Sequence, residues 1–77
     1  MSKPTDILKE HFSNYDRHNI KAMLFKQLPL KWIDEIKVIK YSSHFFGLDV
    51  VAMGRLHQYE VDTAGIELTM TKINDNA

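Results

Sequence analysis

Residues 36–53 read Ile-Lys-Val-Ile-Lys-Tyr-Ser-Ser-His-Phe-Phe-Gly-Leu-Asp-Val-Val-Ala-Met. Their β-branched residues predict two strands, one from Ile36 to about Ser42 and one from near Leu48 onward. Neither strand alternates strictly. Val38 and Ile39 are neighbours, and Val50, Val51, Ala52 and Met53 form an unbroken apolar run. Successive side chains of a strand point to opposite faces, so such runs put apolar groups on both sides of a sheet. A sheet with one wet face would alternate. The rest of the chain is too short to cover both sides, so the pattern implies a second molecule.

Upstream of this stretch the apolar residues recur at helical spacing. Thr5 is placed as an N-cap, with Asp6 in the first turn, where the helix dipole favours an anion. Leu8, Phe12 and Tyr15 follow, and the polar cluster at residues 13–19 then interrupts the pattern. One continuous helix fits these residues; a break is the preferred reading, with Asn14 or Asp16 capping a second helix. Ile20, Met23, Leu24 and Leu28 form its core-facing stripe at intervals of three and four. Pro29 ends it, because the residue before proline is pushed out of the α region. Residues 30–35 fit either a short proline-opened turn or direct entry into the strand.

Downstream, Gly47 is expected to mark a turn, and a second strand to run from Leu48, bent at Gly54, as far as Val61. Asp62-Thr63-Ala64-Gly65 has the form of a four-residue hairpin loop. The final strand, Ile66 to Ile73, alternates: Ile66, Leu68 and Met70 face one way, Glu67, Thr69 and Thr71 the other. The expected architecture is α+β, one or two N-terminal helices followed by a three- to four-stranded antiparallel β-meander. Residues 1–77 form one small domain, with 1–4 and 74–77 expected to fray.

Composition narrows the classes. At 44% hydrophobic the chain is too apolar for a disordered one. A domain of this size buries only about 60% of the surface its unfolded chain exposes, so it needs reinforcement. Without cysteine, neither disulfides nor thiolate-held zinc can supply it, which leaves association. Residues 1–6 contain no apolar leader core, and no run approaches the ~20 apolar residues of a membrane helix. A soluble cytoplasmic protein is expected, with no membrane contact. Net charge is zero, but residues 1–41 carry +3 and residues 42–77 carry −3. Such halves attract each other within a fold, or steer an acidic partner to one end.

Catalytic and metal chemistry find little footing. On one continuous helix His11 and His18 would be separated by ~10 Å of rise, too far to share an ion. His44 and His57 could meet across strands, but no second compact pair accompanies them. Asp6 and Glu10, Asp34-Glu35, and Glu60 with Asp62 read as surface and junction acids rather than a pocketed pair of shifted pKa. Ser43-His44 adjacency is not a triad, and Gly47, Gly54 and Gly65 stand alone rather than in a phosphate loop. The sequence assigns no catalytic residue, no metal ligand and no cofactor.

Binding has more support. His44-Phe45-Phe46-Gly47 sets adjacent phenylalanines at a turn, where at most one points inward easily. The other would be an exposed aromatic of the kind that anchors interfaces. With the doubly apolar strands, this nominates Trp32, Phe45, Phe46, Val50 and Val51 as protein-binding residues. The expected function is a small non-enzymatic module acting through protein contact, as a homodimer or with another protein. Its size is that of inhibitors, adaptors and regulators, including those of phages and mobile elements. The alternative is a nucleic-acid-binding regulator using Lys21, Lys26, Lys31, Lys37 and Lys40 to track phosphates. A pI near 6.9 and only two arginines weigh against it.

Overall fold

A computed structural model describes residues 3–74. The expected break falls at Ser13. A 3-10 turn (Pro4–Asp6) leads into α1 (Ile7–His11), the chain becomes extended at Phe12 and Ser13, and α2 (Asn14–Gln27) follows. Neither Asn14 nor Asp16 caps α2. The Asp16 N–H donates to Ser13 Oγ at 3.2 Å, so the serine one residue earlier is the cap. Thr5 is not a cap either: the first turn starts at Lys3, whose N–H donates to Asp6 Oδ2 at 2.9 Å. Pro4 sits at the first position of that turn, where its fixed φ is already suitable. Ser13→Ala should cost ~1 kcal/mol, read as a lower denaturant midpoint with an unchanged slope.

The helices precede a four-stranded antiparallel sheet of order β1-β2-β3-β4, the α+β meander expected. The strands are β1 (Ile33–Lys40), β2 (Phe45–Ala52), β3 (Arg55–Asp62) and β4 (Thr69–Asn74). β1 starts three residues earlier than expected, after a 3-10 turn at Leu30–Trp32, and its register shifts between Ile33 and Glu35. Of the ends expected to fray, Pro4 belongs to the first turn and Asn74 to β4. Residues 1, 2 and 75–77 lie outside the described residues.

Three turn assignments are corrected. The β1–β2 turn lies at residues 41–44, not at Gly47. There the Tyr41 and Ser42 N–H groups both donate to the Phe45 carbonyl, and Ser42 Oγ accepts from the Phe45 N–H at 3.2 Å. Gly47 is inside β2, where a β-carbon would lie 3.0 Å from the Tyr41 hydroxyl oxygen. Its missing side chain makes room for a ring. Gly54 does not bend one long strand; Met53-Gly54, both at positive φ, form the two-residue connection between β2 and β3. The β3–β4 loop is residues 63–68 rather than the four residues 62–65, because β4 begins at Thr69 rather than Ile66. Ile66 is 99% exposed, while Leu68 is buried and Met70 half-buried.

The sheet has two unlike faces. Ile36, Phe46, Leu48, Val50, Tyr59 and Val61 share one core with Leu8, Phe12, Ile20, Leu24 and Leu28 of the helical segment. Phe12 meets Phe46 edge-on, with centroids 4.7 Å apart. Tyr59 is buried against this core and its hydroxyl donates to Gln27 Oε1 at 3.3 Å, tying β3 to the end of α2. Burial raises the Tyr59 pKa above its ordinary value of 10.0. The folded state thus favours the neutral phenol: its contribution is intact below pH 10 and is lost as pH rises through the folded pKa. Stability should fall above pH 10 by up to ~1.4 kcal/mol per pH unit from this group, and Tyr59→Phe should remove that component of the alkaline limb.

Candidate functional site

Val38, Ile39, Val50 and Val51 divide between the two faces. Val50 is fully buried and Val38 packs against the core under the helices. Ile39 and Val51 point the other way and are only half-buried. Cross-strand pairing places Val51 beside Leu56, and Ile39 beside Gly47. The Tyr41 ring fills the space over Gly47 and lies 5.6 Å from the Phe45 ring, centroid to centroid. Ile39, Phe45, Val51 and Leu56 belong neither to the buried core nor to the side chains packed against it. A polar row crosses between them, Lys37 opposite Asp49 and Asp49 opposite Gln58, whose amide donates to Asp49 Oδ1 at 3.3 Å. The open face is therefore an aromatic corner and an aliphatic corner separated by a self-neutralising row.

A second surface lies where the end of α2 meets the β2–β3 connection. Leu28, Trp32, Ala52, Met53, Arg55 and His57 line a cleft of about 270 Å³. The Met53 N–H donates to the Trp32 carbonyl at 3.1 Å, fixing these two residues side by side. Trp32 is 42% exposed and Met53 69% exposed. Met53 has φ +51°, a left-handed conformation that costs a residue with a β-carbon about 1–2 kcal/mol. Burial of its side chain does not offset that cost, because the side chain is mostly in water. The His57 Nδ1 is buried and has no hydrogen-bond partner.

The nominated residues separate accordingly. Phe45 and Val51 lie on the open face, and Trp32 borders the cleft. Phe46 and Val50 are core residues, 5% and 0% exposed, and present no surface to a partner. The lysines do not form one stripe. Lys21 and Lys26 are on α2 and Lys31 on the following 3-10 turn. Lys37 is on the open face, and Lys40, opposite Phe46, on the helix side. Among the described residues no three His, Asp or Glu side chains converge as a metal site requires. His11 Nδ1 donates to the Ile7 carbonyl at 3.2 Å, and His44 and His57 sit at opposite ends of the β2–β3 pair.

No protein family, curated protein or solved structure matches this chain significantly. Functional inference rests on the two surfaces. Tyr41, Leu56, Met53, Arg55 and His57 were not nominated from sequence. Met53-Gly54 was the available signal for the second surface: a two-residue connection that puts a methionine at a hairpin tip.

Proposed function

We propose that this chain is a small non-catalytic cytoplasmic module acting through protein contact, of the inhibitor, adaptor or regulator type. We further propose that it forms a homodimer through the open face of its sheet. The observation that carries this reading is the placement of Ile39, Val51 and Leu56 outside the core, on the face away from the helices. Among the described residues no helix is long and apolar enough to cross a membrane.

Size decides what kind of dimer this is. Three eight-residue strands and one of six, at ~3.4 Å per residue and ~4.8 Å apart, give a face of roughly 500 Å² in projection. Stable interfaces bury ~800 Å² per partner. The open face falls at the low end, which favours a reversible dimer over an obligate one. Sedimentation velocity should show the weight-average mass rising from monomer toward dimer between ~1 and ~100 μM. A constant monomer mass across that range would remove the reading. The nucleic-acid alternative draws no support from lysines spread over both layers. Salt-dependent retention on an oligonucleotide matrix at ~50 mM salt would restore it.

A further inference from the structure

We propose that the cleft between the end of α2 and the β2–β3 connection is a separate binding site for an acidic peptide segment that presents one large apolar side chain. This does not rest on the dimer, because the cleft lies on the helix side of the hairpin and the open face on the other. Its walls are apolar, from Leu28, Trp32, Ala52 and Met53, and its ionisable lining is Arg55 and His57, with no carboxylate. A volume of about 270 Å³ is below the ~300–1,000 Å³ typical of small-molecule clefts and suits a protruding side chain. The Arg55 guanidinium, with no carboxylate in the lining to neutralise it, then selects acidic residues flanking that side chain.

The residue types point the same way. Tryptophan and arginine are the commonest interface anchors, and methionine is enriched at adaptable contact surfaces. Here all three line one cleft beside a hairpin tip, with Met53 mostly in water and Trp32 partly so. Met53 keeps a positive φ that glycine would adopt without strain, and strained positions of this kind cluster at ligand clamps. An occupant burying the thioether supplies what the free chain lacks. It also brings carboxylates to the Arg55 guanidinium.

The test is panning of a random peptide display library on the full chain, followed by titration of synthetic peptides using the single tryptophan, Trp32, as reporter. The expected consensus is one large apolar residue flanked by Asp or Glu, giving a saturable shift in Trp32 emission. Arg55→Glu, at an exposed position, should weaken the acidic peptide by at least about tenfold and improve its lysine-flanked counterpart. Met53→Gly relieves the backbone, so the hairpin persists while affinity falls severalfold. Val51→Lys, on the opposite face, should leave peptide affinity unchanged. A basic, neutral or absent consensus would overturn the proposal, as would Arg55→Glu without effect. Loss of binding in Val51→Lys would overturn the independence of the two surfaces.

Discussion

Val50→Lys is expected to leave the chain largely unfolded, whereas Val51→Lys should leave a folded chain that no longer dimerises. The two residues are adjacent in β2 and differ in which side of the sheet they occupy. Val50 is fully buried, opposite Ile36 and His57 on the helix side. A lysine there forfeits the burial of a valine, ~1.5–3 kcal/mol. It also drives an ammonium into the core, at an effective cost of several kcal/mol. A 77-residue chain has only about 4–12 kcal/mol in total, at 0.05–0.15 per residue, so the sum is comparable to the whole of its stability. Val51 is half-buried and directly opposite Glu35. A lysine there gains an opposite-charge cross-strand neighbour, which offsets much of the ~1 kcal/mol loss of strand preference. Far-UV circular dichroism should separate the variants, and sedimentation should show Val51→Lys monomeric where the unmodified chain associates.

The second large effect concerns the phenylalanine pair. Phe46→Ala removes the ring that meets Phe12 edge-on in the core, and buried Phe→Ala changes cost ~3–5 kcal/mol. That approaches the lower estimate of the whole stability, so thermal unfolding should begin near room temperature or below. Phe45→Ala removes a half-buried ring whose recorded ring partner is Tyr41, itself 58% exposed. It should cost about 1–3 kcal/mol, half the burial of a phenylalanine plus the aromatic pair, less than Phe46→Ala, while weakening association. Equal stability losses in the two variants would mean that both rings serve the core.

Much of this was legible in residues 36–53 because side-by-side apolar residues have one geometric meaning in a strand. Val38-Ile39 and Val50-Val51 do split across the sheet. The α2 stripe was legible from its periodicity, and the stop at Pro29 from the way proline pushes the preceding residue out of the α region. What misled was glycine. Gly47 reads as a turn, but its role depends on Tyr41 six residues away across the hairpin, a contact that local pattern does not encode. At Met53-Gly54 the reverse occurred: a true turn was hidden because methionine is a poor residue for positive φ. The cap at Ser13 was missed by one residue, since Ser13, Asn14 and Asp16 all carry side chains that could serve. Both surfaces were therefore incomplete: Tyr41 and Leu56 were missing from the open face, and Met53, Arg55 and His57 from the cleft.

The central claim is that a second copy of this chain covers the face of the sheet turned away from its helices. Isotope-filtered NOE spectroscopy on a mixture of labelled and unlabelled chains tests it most directly. The account predicts intermolecular contacts to the methyl groups of Ile39, Val51 and Leu56 and none to those of Val50 or Leu48. Intermolecular contacts absent at concentrations near 1 mM, or confined to the helix side, would contradict it.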